Sequence, residues 1–513
     1  MDPEKEPHPY ALATASVCFV SLVITAVVEL IRPGCSPRWL IHPVSNLIHA
    51  YLEWKYPIRH KNGRATIPSC RYVWPNGQGD AAKFLDGVKN SGAWEKENGS
   101  VYRIWSGMKP EIVLTKPHHL QHVFKDSDNH SKAPANNSGF YMSQLLGQCV
   151  GLISGSEWRA VRKVAEVPFG HRAISLRLAD IERHVTEHFQ KIHRDSNLDQ
   201  GLIHPTNDMK MLPFWVVAEL FYGRLPAFLI RDLEKLAPLR EHVFKYVIRG
   251  GIPRFAWARW LPTAANADLR KFKQAWKAFN KRALEYAQAT NPEAPIIQMQ
   301  AAVAAGEITE EQLLQTLDES LYANLDVTTG GLSWNLVFLA AHGDVQARLR
   351  QELSIAIAES RFHAYVADRS SYLAACVSES SRLRPLAAFS VPQAAPTVRE
   401  VDGYLIPPGT SFIVDSCALN VRNETWGPDN EAYRPERFLG GRDSDRRYVF
   451  WRFGFGPRQC MGRHAADMVI RMALAHLVLN YELRLLRDAD DWRSDKESWI
   501  SHPDFWLRCV KRA

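Results

Sequence analysis

One decapeptide near the C-terminus restricts this 513-residue chain more than any other stretch: Phe453-Gly454-Phe455-Gly456-Pro457-Arg458-Gln459-Cys460-Met461-Gly462. Its glycines and proline break regular structure, so it reads as a glycine-hinged loop. The loop presents one thiol where the chain turns helical again. A thiolate near a helix N-terminus is favoured by the helix dipole. Gly456 and Gly462 permit tight turns and close approach of a flat ligand. Arg458 adds a cation suited to a cofactor carboxylate. Backbone N–H groups after the cysteine can donate to its sulfur and tune it. The other cysteines, Cys18, Cys35, Cys70, Cys149, Cys376, Cys417 and Cys509, form no CxxC pair with one another or with Cys460. A zinc ribbon or thioredoxin motif therefore has no support, and scattered cysteines point to a reducing compartment.

Length alone suggests roughly three domains. With 46% hydrophobic and 23% charged residues, the chain is neither disordered, collagen-like nor a disulfide framework. Its 63 basic and 55 acidic residues give a formal charge of +8, spread along the chain. That suits an acidic partner or a membrane surface, and no nucleic-acid role is expected. Ala11–Val28 is free of charge and just long enough to span a bilayer. The preceding Asp2, Glu4, Lys5 and Glu6 do not make a signal-peptide leader. A transmembrane helix over about residues 10–31 is expected, stopped by Pro33 and Gly34, within a leader and anchor of residues 1–35. Arg32 and Arg38 then place the following chain in the cytosol. The sequons at Asn98, Asn136 and Asn423 would in that topology stay unglycosylated.

Between 32 and 79 the chain reads as a hinge and an irregular surface segment. Val101–Thr115 reads as two strands about a glycine turn, and most of 173–384 reads helical. Thr309 and Gln312 form a capping-box pattern, followed by Leu313, Leu314, Leu317 and Leu321 at helical spacing. A long central helix from Thr309 to Ala341 is expected. Inside it, Asn324-Leu325-Asp326-Val327-Thr328-Thr329-Gly330-Gly331 places an acid, hydroxyls and glycines where a buried helix ordinarily has none. Past Ser390 short strands and turns are expected: Tyr404–Thr410 reads as a strand entering a tight turn, and Ser411–Asp415 alternates.

The decapeptide resembles the haem-binding loop of the cytochrome P450 superfamily, F-x-x-G-x-R-x-C-x-G, matching at Phe453, Gly456, Arg458, Cys460 and Gly462. Trp158 and Arg162 resemble the family's W-x-x-x-R. Glu379 and Arg382 resemble its E-x-x-R, and Tyr433–Phe438 its P-E-R-F segment, whose Arg437 would complete a charge triad. The resemblance implies a mainly α fold with small β-sheets, as one haem domain over residues 36–513. It implies haem b with Cys460 as axial iron ligand, and Trp158, Arg162, Phe453, Gly456, Arg458 and Gly462 around it. Thiolate ligation, for which this family is the general example, favours O–O cleavage. The implied activity is O₂-dependent oxidation of a hydrophobic small molecule by a monooxygenase, as hydroxylation, epoxidation, desaturation or coupling, in fungal secondary metabolism. The chain has no flavin or nicotinamide motif, so electrons would come from a separate NADPH-dependent reductase, with cytochrome b5 as a second donor. The implied location is the endoplasmic reticulum membrane, with lipid contact. An O₂-independent isomerase or peroxygenase and a non-catalytic haem carrier are the rival classes.

Two departures from the family stand out. The central helix usually reads [AG]-G-x-[DE]-T-[TS]. Here one alignment keeps Asp326 and puts Val327 at the threonine position. The other keeps Thr328 and loses the acid. Asp326 and Thr328 are the catalytic candidates either way, although residues two apart point about 200° apart on a regular helix. Second, no basic residue stands in 387–393 for the haem propionates. By family position, Phe140–Leu146, Phe214–Phe228 and Leu386–Val391 are candidate pocket walls, with ordinary core burial as the competing reading of their aromatics. Phe255, Trp257 and Trp260 among Arg254 and Arg259 suit a headgroup interface. Arg159, Lys163, Arg446, Arg447 and Arg463 would form a basic face for the reductase.

Overall fold

The computed structural model describes residues 9–512 apart from 33, 64, 80, 134–137, 441–445, 487–491 and 493–499. The leader before Pro9, the stop at Pro33 and the sequon at Asn136 lie outside the described residues. Thr309 caps the central helix, Glu310–Ala341, as its sequence foretells. Its hydroxyl accepts from Gln312 N–H at 3.1 Å, and the Gln312 side chain accepts from Thr309 N–H at 2.9 Å. At ~1.5 Å per residue the helix is about 48 Å long. Leu317, Leu321, Leu332, Leu336 and Leu339 are fully buried on it. Polar residues such as Thr316, Asp318 and Asn335 are buried on it as well, so the helix runs through the core. Here it packs against the helices Met211–Tyr222, Tyr372–Leu383 and Arg463–Asn480.

Ten short strands among the described residues make three sheets. They are β1 (Val101–Ser106), β2 (Lys109–Leu114), β3 (Ser131–Lys132), β4 (Leu202–Ile203), β5 (Gln393–Ala394), β6 (Arg399–Val401), β7 (Tyr404–Ile406), β8 (Ser411–Val414), β9 (Tyr481–Leu485) and β10 (Leu507–Lys511). The largest sheet runs β1-β2-β8-β5-β3, with β2 and β8 parallel. β4-β10-β9 is a second sheet and β6-β7 a hairpin. The expected pair around Gly107, whose φ is +59°, is β1–β2. The mainly helical architecture with small sheets is as expected.

Three expectations need correction. Arg38–Lys55 is an 18-residue helix, not irregular chain. Pro43 near its start removes one backbone donor, while Ile41, Ser45 and Leu52 are buried on it. The expected membrane segment is the helix Pro9–Ile31. Among the described residues, however, no helix is long and apolar enough to cross a membrane. The helix carries Thr14, Ser16, Ser21 and Thr25 among its apolar residues. Near its end Glu29 is buried, accepting from the Gly34 and Ser36 N–H groups. Trp74 Nε1 also donates to the Ala26 carbonyl at 2.9 Å. Finally, Phe214, Phe221 and Tyr222 are core rather than pocket wall. Phe221 packs edge-on to Phe169, and the Tyr222 hydroxyl donates to Asn280 Oδ1 at 2.8 Å.

Candidate functional site

The cysteine loop is closed by its own backbone. Cys460 N–H donates to the Phe453 carbonyl at 2.9 Å and Gln459 N–H to Gly456 at 3.0 Å. This geometry needs φ of +78° at Gly454 and +68° at Gly456, which side chains disfavour. A Cβ at Gly456 would also lie 2.5 Å from Ser127 Oγ. The helix Arg463–Asn480 follows directly. Burial raises the Cys460 thiol pKa, while the Gly462 N–H bonded to it and the Arg162 charge favour the thiolate. Cys460 is nonetheless accessible to water.

Cations gather in the same region. Trp158 is buried on the helix Gly155–Ala165, with Arg162 one turn on. The Arg458 guanidinium lies 4.7 Å from the Trp158 ring centroid and donates through Nη2 to the Ile153 carbonyl at 2.6 Å. Its Nη1 is buried without a partner among the described residues. Burial, then the Arg162 charge, push Arg458 down to about 10. Lys132 on β3 joins them: burial first, then Arg458, bring its pKa to about 7, against the pull of Glu319. Glu319 sits on the central helix and accepts from Gly151 N–H at 3.0 Å. Its carboxyl is raised by burial, against the Cys149 thiol, the Gly151 N–H and the charges of Lys132 and Arg458. Lys132 and Arg458 face the Glu319 carboxylate, while Arg162 is paired with Glu166; with the orphaned guanidinium nitrogen, the cluster suits an anionic group. The sequence reading found Arg458, Trp158 and Arg162 but missed Lys132 and Glu319.

The charge triad forms. Arg382 forks onto Glu379 at 2.7 and 2.8 Å, and Arg437 Nε lies 3.3 Å from the same carboxylate. All three side chains are at most 6% exposed. Arg382 also donates to the Asn420 and Asn430 carbonyls at 3.0 and 2.6 Å. The triad thereby ties its helix to the segment that leads into the cysteine loop.

The central helix stays continuous through Asn324–Gly331. Ala323, Asn324, Asp326 and Val327 are half-buried, whereas Thr328 and Thr329 are buried. Thr328 Oγ1 donates to Asn324 Oδ1 at 2.5 Å, and Thr329 Oγ1 to the Asn324 carbonyl at 2.9 Å. The hydroxyls thus turn back onto their own helix. His502 Nε2 lies 2.8 Å from the Asp326 carbonyl, a contact no sequence pattern indicated. A Cβ at Gly330 would sit 2.8 Å from His502 Cδ2, so Gly330 is there to admit His502.

The cytochrome P450 family model matches residues 88–505. The chain belongs to the cytochrome P450 family. Its relatives include cytochrome P450 monooxygenase aclC of Aspergillus oryzae, 54% identical over 90% of this chain and 95% of the relative. Another is monooxygenase asaD of Aspergillus flavus, 50% identical over 98% and 95%. Among solved structures, a zebra fish cytochrome P450 with progesterone superposes with a TM-score of 0.66 at 16% identity, covering 83% of this chain and 99% of that one. The P450 is therefore a haem-dependent monooxygenase with its relatives' fold. The orphaned Arg458 nitrogen and the enclosed, accessible thiol are the features of this molecule that fit that cofactor.

Proposed function

We propose that this P450 oxidises a hydrophobic small molecule, with Cys460 as the axial thiolate and Lys132, Trp158, Arg162 and Arg458 holding the haem propionates. The observation that carries this reading is the cation cluster around the enclosed Cys460 thiol. Bound haem supplies the activation of O₂ by a strongly electron-donating ligand. The protein's part is to fix the thiolate and to bring protons to the distal side. Asp326 and the Asn324–Thr328 pair are the groups placed for proton delivery. Electrons come from an NADPH-dependent reductase, with cytochrome b5 as a second donor, docking on a face that includes the exposed Arg159, Lys163 and Arg447. Exposed Val20, Ile24, Trp39, Leu47 and Trp54 support lipid contact. Phe255, stacked on the exposed Trp257, and Arg259 over the exposed Trp260 support the same reading. We place the haem domain, about residues 36–513, on the cytosolic face of the endoplasmic reticulum. Fungal secondary metabolism is the proposed setting, given Aspergillus relatives at 50% identity and above.

Turnover with NADPH, reductase and ¹⁸O₂ tests the reading. Label is expected in the product of a hydroxylation or epoxidation and in water alone for a desaturation or coupling, and equal product formation without O₂ or without NADPH and reductase would refute it. Asp326→Asn should lower product formed per NADPH consumed; unchanged coupling would remove Asp326 from proton delivery.

A further inference from the structure

Away from the cysteine loop, the helix Pro117–Val123 lays its first turn against the tip of the β6–β7 hairpin. Consecutive helical residues point ~100° apart, and the Asp402 carboxylate sits between two such side chains. Its Oδ1 lies 3.2 Å from His118 Nε2 and its Oδ2 2.9 Å from His119 Nε2. Ser100 Oγ donates to Oδ2 at 3.0 Å. The two ring centroids are 4.3 Å apart.

The three residues are unlike an ordinary surface ion pair. His119 is 1% exposed, whereas His118 is 67% exposed. The buried His119 Nδ1 has no partner among the described residues, leaving Nε2 as the nitrogen turned to the carboxylate. Asp402 holds a left-handed backbone, φ +46°, followed by Gly403 at +81°. That is an Asp-Gly hairpin tip, which fixes where the carboxylate points. One ligand atom from each of the three residues lies within 4.8 Å of the others. A tetrahedral ion with bonds of ~2.0–2.2 Å needs ligand atoms about 3.4 Å apart. The two histidine nitrogens reach different Asp402 oxygens, at 3.2 and 2.9 Å, so gathering one atom from each residue about a single ion requires the rings and the carboxylate to turn. Beside the cluster lies an open cleft of ≈ 450 Å³, also lined by His122 and Lys125. The nearby Lys61 is paired with Glu400 at 2.7 Å.

We propose that His118 Nε2, His119 Nε2 and an Asp402 oxygen bind a divalent transition metal of the zinc class. Two imidazoles and a carboxylate suit zinc rather than magnesium or calcium. The cleft leaves the remaining position to water. Such an ion would pin the helix to the hairpin. A second tie already lies alongside, where Arg399 on β6 pairs with Asp126 at 2.5 Å. Ser127, the next residue, is the one Gly456 packs against. The ion would therefore brace a segment that supports the cysteine loop.

Equilibrium dialysis of the tag-free holoenzyme against buffered Zn²⁺, read as zinc per haem iron, tests the site. One zinc per chain is expected, with affinity lowered at least tenfold in His118→Ala and in Asp402→Asn. Zn²⁺ should raise the unfolding temperature of the parent and not of the variants. His118 is exposed and Asn tolerates positive φ, so both variants should keep the parent's carbon monoxide difference spectrum. Equal zinc binding by parent and both variants would overturn the proposal, as would a parent that binds no zinc.

Discussion

Replacing Glu379 by Gln keeps the shape of the buried triad and removes its one negative charge. The carboxylate accepts from Arg382 at 2.7 and 2.8 Å and from the Arg434 N–H at 3.0 Å, and it lies 3.3 Å from Arg437 Nε. An amide keeps one acceptor oxygen but turns N–H donors toward guanidinium donors. The buried Arg382 guanidinium then lacks its counter-charge, while Arg437 keeps Asp429. Breaking a buried pair in this way costs about 3–5 kcal/mol. Arg437 should matter less. Without it, Glu379 keeps the Arg382 fork and the Arg434 N–H, and the half-exposed Asp429, 2.7 Å from Arg437, can return to solvent. A loss of about 1–3 kcal/mol is expected for Arg437→Ala. Urea unfolding of the holoprotein, followed by tryptophan fluorescence and by haem release, measures both. A Glu379→Gln protein within about 0.5 kcal/mol of the parent, or an Arg437 variant less stable than it, would refute the reasoning.

Two glycines on helices should respond in opposite directions to alanine. Gly330→Ala meets His502 and Ile500 within 3 Å, so overpacking of about 1–3 kcal/mol should outweigh the ~1 kcal/mol gain in helix propensity. Gly343→Ala meets nothing within 4 Å and should stabilise by about 0.4–1 kcal/mol; calorimetric melting reads both. Burial, opposed by Asp126, pushes the His130 pKa down to about 4 in the folded state. The unfolded state then binds the extra proton, so this stability is present above pH ~6.5 and lost as pH falls toward 4. Its slope approaches ~1.4 kcal/mol per pH unit, and urea midpoints for His130→Phe should fall less steeply across that window.

Features that span a few residues were legible in the sequence. The capping box at Thr309, the hairpin around Gly107 and the cysteine loop rest on local backbone chemistry, and each forms as read. The triad was legible because Glu379 and Arg382 share a helix face and Arg437 lies in a recognisable short segment. Lys132 and Glu319 were not legible, because their role comes from non-local packing. Lys132 lies on a two-residue strand with no pattern of its own, and Glu319 looks like any acid on a long helix. His502 reaches the Asp326 carbonyl from 176 residues away. The aromatics at Phe214, Phe221 and Tyr222 misled for the opposite reason. Composition cannot separate a core helix from a pocket wall, and only their neighbours decide. The Pro9–Ile31 segment was legible as a helix, but among the described residues no helix is long and apolar enough to cross a membrane.

Haem ligation by Cys460 is the claim on which the rest of the account depends. The reduced, carbon monoxide-bound difference spectrum tests it most directly. The parent should show the long-wavelength Soret band of a thiolate-ligated haem, and Cys460→Ala should lose it while keeping its helical content. A Cys460→Ala protein that retains that band would contradict the account.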